Sequence, residues 1–343
     1  MANNLEQIIL EQTKNFRTDR LTMSFGEIMN MYKEGEININ PDFQRSFRWS
    51  KEKQTNLIES ILLGIPIPPI FVAENEEGIW ELVDGLQRTS TVLSFFGILE
   101  NVSKDKNNLI LGKGKLIPEL EDVSIQNMSF KLKIKVKRAT VGVEVLNRDS
   151  DSQMKYELFK RLNTTSEGLS EQEMRNAIYS GKFNTYINQL ANHDTFISLM
   201  NPTKKQKESM YLSELVLRYL AFKNSIEMKE GVRSHLDKYM EENINMNKFD
   251  EDFEKKEFIK IITFINDNFG TEIFKAKNGQ VTKNLYDSLT YVLREKFDKY
   301  KDNPKEFQLG VDELKDDSQY EEISRKKRET RTQDRITRAL EIF

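Results

Sequence analysis

Trp80-Glu81-Leu82-Val83-Asp84-Gly85-Leu86-Gln87-Arg88-Thr89-Ser90, continued by Thr91-Val92-Leu93-Ser94-Phe95-Phe96-Gly97, is the stretch on which the fold turns. Trp80, Leu82 and Val83 read as a short strand, Asp84-Gly85 breaks it, and the apolar pattern after Arg88 suits a buried helix. A strand that passes through a glycine turn into a helix offers an anion site. The first helical turn carries N–H groups without intrahelical partners and a partial positive charge, and glycine lets a ligand approach the backbone closely. Gln87 adds an amide and Arg88 a planar fork of donors, both matched to phosphate oxygens. Alone the motif is weak, because Asp-Gly is a common turn and an arginine at a helix start is usually idle.

A second stretch changes the weighing: Ile39-Asn40-Pro41-Asp42-Phe43-Gln44-Arg45-Ser46-Phe47-Arg48-Trp49 again sets Gln-Arg in a loop, here among aromatic side chains. Two Gln-Arg pairs suggest one shared anion site. A third segment, Phe159-Lys160-Arg161-Leu162-Asn163-Thr164, leads to Leu169-Ser170-Glu171-Gln172-Glu173-Met174-Arg175-Asn176-Ala177. In that order the three boxes resemble the ParB/sulfiredoxin-like nucleotidase domain of the GmrS/GmrD (GmrSD) type of modification-dependent restriction proteins, over roughly the first 200 residues. Leu86 departs from the pattern, since many relatives carry a second Gln there. That removes a hydrogen bond from position 86 but leaves the Gln87 and Arg88 contacts.

The resemblance implies an α+β chain: a ParB/sulfiredoxin-like nucleotide-binding domain with a small mixed sheet at 1–200, then an all-α domain at 201–343. It implies an NTP held by Gln44, Arg45, Gly85, Gln87, Arg88, Thr89, Arg161 and Asn163, with Asp84, Gln87 and Arg88 as the catalytic candidates. In phosphoryl transfer the work is positioning and charge neutralisation, which Arg45, Arg88 and Arg161 are suited to supply. Asp84 either orients water, holds a Mg²⁺ ion, or caps the turn at Arg88. No Walker-type Gly-x-x-x-x-Gly-Lys loop is present, so a P-loop enzyme is excluded.

Composition bounds the rest. The 343 residues have room for two domains, and 38% hydrophobic with 10% aromatic content is enough for a core. Fifty-two Lys plus Arg against 55 Asp plus Glu leave a formal charge of −3, so any contact with DNA must be a local basic patch. The absence of cysteine excludes disulfides, a thiolate nucleophile and iron–sulfur clusters. His193 and His235 are the only histidines, and both read as structural or solvated. Relatives often carry a His/Asn-type nuclease module; this chain is expected to lack it and to work with a separate effector nuclease or toxin subunit. No run of about 18 apolar residues occurs and Met1 to Arg20 is polar, so a cytoplasmic protein without membrane contact is expected, with homo-oligomerisation open.

Along the chain, residues 4–14 allow a short polar helix, and Ser24 to Glu27 have capping-box spacing before a helix that stops near Gly35. Ile37 to Ile39 read as a short strand. Ser50 is placed to cap a helix through Leu63, on which Glu59 reads as a solvated carboxylate. Pro66, Pro68 and Pro69 extend the chain into a strand at Ile70 to Ala73, which turns at Asn75 to Gly78 and returns toward Asp84. Residues 101–127 read as a surface insertion. From Phe130 the pattern alternates with lysines as a strand would, while the resemblance implies a helix; Thr140 to Leu146 is a strand, with Val141, Val143 and Val145 in alternation. Asp151 or Ser152 can start a helix that ends near Arg161 and Asn163, and Ser170 to Glu173 form a capping box whose Gln172 and Glu173 either cap or orient Arg161 or Arg175. Beyond a linker at Asn201 to Lys205 the periodicity is helical.

Two basic runs remain, Lys131 to Arg138 and the tail from Arg325 to Arg338. A solvated face and a docked terminal helix are the ordinary readings, and DNA contact is the other. The expected function is that of a nucleotide-binding, NTP-hydrolysing regulatory subunit of an antiphage restriction system. A ParB-like nucleotide-dependent DNA clamp without catalysis is the alternative, and a scaffold with an inactive pocket is the blandest reading.

Overall fold

The computed structural model describes residues 5–7, 18–39, 49–75, 77–100, 107–147, 158, 161, 170–179, 181–228, 230–326 and 329–343. The chain folds as two compact units, Met1–Leu169 and Ser170–Phe343.

The first unit is built on a mixed sheet of β1 (Thr18–Ser24), β2 (Ile37–Asn38), β3 (Ile70–Glu74), β4 (Trp80–Asp84) and β5 (Thr140–Leu146), in the order β1-β5-β3-β4-β2. β3 and β4 form an antiparallel hairpin with a register shift at Phe71/Val72, while β5 joins β3 in parallel and so must be reached by a crossover. Val141, Val143 and Val145 of β5 are buried, as their alternation requires. β1 is an edge strand in which Met23 alone is buried. Its apolar alternation is limited to Leu21 and Met23, and it forms because β5 offers it a full antiparallel ladder, Thr18 opposite Leu146 through Ser24 opposite Thr140.

α1 (Phe25–Glu34) and α2 (Lys51–Leu63) follow the capping chemistry. Ser24 Oγ accepts from the Glu27 N–H at 3.1 Å and Ser50 Oγ from the Lys53 N–H at 3.3 Å, and Gly35 and Gly64 end the helices in the left-handed region. α3 (Leu86–Phe95) leaves the β4 turn and is buried through most of its length. α4 (Phe130–Arg138) settles the open alternation: it is a helix whose Val136 alone is buried, with Lys135, Lys137 and Arg138 in its last turn, where the helix dipole favours cations.

Two expectations are corrected here. The stretch 101–127 is not a mere surface insertion: of its described residues, many are exposed, but Leu109, Leu111 and Leu120 lie in the core with Ile58 and Ile61 of α2. Glu59 is no solvated carboxylate either. It is 4% exposed, and its Oε1 accepts from the Leu116 N–H at 2.8 Å and the Ile117 N–H at 2.7 Å, pinning that segment onto α2. A buried carboxylate needs such donors, and two backbone N–H groups supply them.

The second unit is helical: α5 (Glu171–Ile178), α6 (Lys182–Ala191), α7 (Asp194–Met200), α8 (Lys204–Glu208), α9 (Tyr211–Asn224), α10 (Gly231–Asn243), α11 (Glu251–Asn268), α12 (Lys283–Tyr300), α13 (Pro304–Asp316), α14 (Ser318–Arg325) and α15 (Arg331–Ile342). Its core holds Leu215, Leu220, Phe258, Ile262, Leu289 and Leu293. The unit begins upstream of Asn201, so α5 to α7 pack with the helices that follow them. α15 docks: Ile336 and Ala339 are fully buried, and the Phe343 carbonyl accepts from Tyr300 Oη at 2.5 Å. Among the described residues no helix is long and apolar enough to cross a membrane.

Candidate functional site

β4 delivers Asp84 to a turn at Gly85, whose φ is 98°. A Cβ at this position would lie 2.4 Å from Ile70 Cγ2, so both the backbone conformation and the approach of β3 demand glycine. The Gly85 carbonyl accepts from the Thr89 N–H at 2.8 Å, which starts α3 without a side-chain cap. An uncapped helix start behind a glycine turn is an anion-binding geometry.

Arg88 is fixed beside that start. Its Nη2 donates to Asp84 Oδ2 at 2.6 Å, and its Nη1 donates to the carbonyls of Pro69, at 3.0 Å, and Pro68. The arginine side chain is 13% exposed and the aspartate 38%, so the pair sits at the rim with the cation inward. Burial pulls the guanidinium's pKa down and the Asp84 carboxylate opposes it. The arginine stays charged at neutral pH because its ordinary value is far above it. Asp84 therefore orients Arg88. Among the described residues no group of three or more metal-ligating side chains exists, so a Mg²⁺ ion at Asp84 would take most of its ligands from phosphate oxygens and water.

Gln87 links the first two boxes. Its Oε1 accepts from the Trp49 N–H at 3.0 Å, so the end of the upstream Gln-Arg loop is tied to the first turn of α3. Thr89 and Ser90 are buried, and among the described residues neither Thr89 Oγ1 nor Ser90 Oγ has a hydrogen-bond partner; Thr91 Oγ1 donates to the Gln87 carbonyl at 2.6 Å. Asp84, Gly85, Gln87, Arg88 and Thr89 thus share one turn. Gln44, Arg45 and Asn163 lie outside the described residues, as does nearly all of the helix expected from Asp151, while Arg161 is helical and exposed.

The third box serves the second unit. Ser170 and Glu173 make a complete capping box, with Glu173 Oε2 accepting from the Ser170 N–H at 2.6 Å. Arg175 is fully buried and donates from Nε to Asp237 Oδ1 at 2.7 Å. Gln172 accepts from Arg175 Nη1 at 3.4 Å and donates to Asn176 at 3.0 Å. Glu173 caps, then, and Gln172 orients Arg175. The Pro68 and Pro69 carbonyls and the Trp49 N–H had no sequence signal of their own, since every residue carries a backbone carbonyl. The proline run marks only an extended segment.

Residues 25–180 match the family model described as the GmrSD restriction endonuclease, N-terminal domain. No curated protein and no solved structure matches the chain.

Proposed function

We propose, from the match of residues 25–180 to the GmrSD restriction endonuclease N-terminal domain, that the chain is related to a restriction system and that its Asp84–Arg88 turn binds the phosphates of a nucleoside triphosphate. The observation that carries this reading is the combination at one turn: a glycine in the left-handed region with Ile70 packed against it, a helix start without a side-chain cap, and a guanidinium already oriented by Asp84 and two carbonyls. Pre-orientation matters because phosphate binding then requires little side-chain ordering. Arg88 neutralises phosphate charge, Asp84 keeps it in place, and Gln87 holds Trp49, the last residue of the upstream box, at the site. Arg45 and Arg161 are the further cations proposed for the same phosphates. Hydrolysis of the nucleotide would then report to a separate effector nuclease, with the chain as the regulatory subunit.

A thermal-shift screen of ATP, GTP, CTP and UTP, with and without Mg²⁺, tests the binding. One of them should raise the melting temperature of the wild type, by mass action, and not that of Arg88→Ala. No shift with any of the four at millimolar concentration rejects the reading. Phosphate release separates an NTPase from a DNA clamp without catalysis, the reading favoured by the basic helix α4. Metal-dependent DNA cleavage by the purified chain, lost in Arg88→Ala, would contradict the separate effector.

A further inference from the structure

The sequence holds two basic runs, and the fold treats them differently. Most of the tail's described cations are paired within the protein: Arg325 pairs with Glu321 at 2.5 Å, Lys326 with Glu322, Arg335 with Asp287 at 3.7 Å, and Arg338 with Asp317 at 2.7 Å and Glu341 at 2.9 Å. The cations of α4 are not. Lys131, Lys133, Lys135, Lys137 and Arg138 stand on a helix of nine residues without an acidic side chain, and none of them makes an ion pair among the described residues. Lys133 reaches only the Gln126 carbonyl, at 3.4 Å, and the Lys137 ammonium lies 5.8 Å from the centre of the Phe96 ring.

Helical geometry sorts these five. At 3.6 residues per turn, Lys131, Lys135 and Arg138 fall within about 60° of arc and rise about 10 Å along the axis. All three are exposed. Like charges at such spacing cost the helix a few tenths of a kcal/mol per pair. The helix dipole favours Lys135 and Arg138 in the last turn, but no ion pair among the described residues offsets the repulsion, and a polyanion would. The rise matches about three steps of one DNA strand at 3.4 Å each. A membrane surface fits less well: Val136 is buried in the protein, and the exposed Phe130 and Leu132 stand about 160° apart on either side of the stripe, so they form no single apolar face.

We propose that the Lys131–Lys135–Arg138 stripe of α4 is a docking surface for the phosphate backbone of duplex DNA. The choice of DNA over other polyanions rests on the restriction-system reading. The contact is with phosphates, so it positions the protein on DNA and does not read sequence.

Fluorescence anisotropy of the intact chain with a labelled random-sequence duplex, over about 50 to 200 mM salt, tests this. The wild type should bind with a salt slope that falls by roughly 2 to 3 in Lys131→Gln/Lys135→Gln/Arg138→Gln, at about 0.9 for each phosphate left without its cation. Binding at low salt should drop at least tenfold, and the corresponding triple Glu variant should bind no DNA. Lys255→Gln/Lys256→Gln, on the exposed face of α11, should leave the slope unchanged. These side chains are at the surface, so an unchanged melting temperature excludes misfolding. A wild type that binds no DNA at low salt, an equal loss in the α11 control, or a stripe variant that loses only binding to phosphatidylserine vesicles overturns the proposal. Nucleotide binding followed in the same samples separates the two claims. Its absence from every sample rejects the nucleotide reading, while the salt slope still decides the stripe.

Discussion

The two units place their charges in opposite ways. In the sheet unit Glu59 is buried on two backbone N–H groups, and the other charged groups that matter lie at the rim: Arg88 with Asp84 at the turn, and the cations of α4, which have no ion-pair partner among the described residues. In the helical unit they lie inside. Arg175, Arg218 and Arg335 are buried with Asp287, Glu214 and Glu254, and Asp287 takes Arg218 in a fork, at 2.8 and 2.5 Å, with Arg335 at 3.7 Å. A charge that partners only within the fold serves packing geometry, because its field is cancelled where it stands. The cations of α4 carry no such partner among the described residues and remain available to a ligand, while Arg88 would share its donors between Asp84 and a ligand. The comparison teaches where to look for each: the helical unit's ions decide whether it folds, and the sheet unit's decide what it touches.

The largest break in this contrast should come from Asp287→Asn, which removes the carboxylate shared by two buried guanidiniums and leaves Arg218 only Glu214, at 3.5 Å. We expect a loss of about 3 to 5 kcal/mol in unfolding free energy, read by denaturant titration. Replacing the whole cluster, Arg218→Met/Asp287→Leu/Arg335→Met, should restore most of it, since a well-packed apolar set stands in for a buried ion network. If the single variant is as stable as wild type, the buried network is not what holds these helices.

Next is Gly85→Ala, at roughly 2 to 4 kcal/mol, the sum of a left-handed backbone and a methyl forced into Ile70. Gly35→Ala, with φ 77° but open space around the added Cβ, should cost only about 1 kcal/mol. Equal costs for the two would mean that close approach of β3 to the turn does not matter. Glu59→Ala should cost about 1 to 3 kcal/mol by stranding two N–H groups, and hydrogen exchange at Leu116 and Ile117 should accelerate.

The smallest effect is one of pH. Burial pulls the His235 pKa below its ordinary 6.5, while a hydrogen bond to the Ala221 carbonyl opposes it. The unfolded chain then binds the proton more readily, so stability should decline as pH falls below 6.5. Melting temperatures between about pH 8 and 5 should show that decline in the wild type and less of it in His235→Gln.

Much of the fold is legible in the sequence. Ser24, Ser50 and Ser170 announce helix starts because capping is local chemistry, and the Val141–Val143–Val145 alternation announces β5 for the same reason. β1 is not legible, because its ladder comes from β5, more than a hundred residues away, and its own side chains are mostly exposed. Glu59 and residues 107–128 mislead in the same manner: polar composition reads as surface, while two backbone donors make a buried carboxylate tolerable. At the candidate site the glycine and the arginine stand out in the sequence. The groups that orient Arg88 are a carboxylate four residues earlier and two proline carbonyls that tertiary folding brings near.

The most direct test is a structure of the chain with the NTP selected by thermal shift, in a non-hydrolysable form with Mg²⁺. We predict phosphate oxygens within hydrogen-bond distance of the Arg88 guanidinium and of backbone N–H groups in the first turn of α3. A nucleotide bound elsewhere, with that turn empty, would contradict the account.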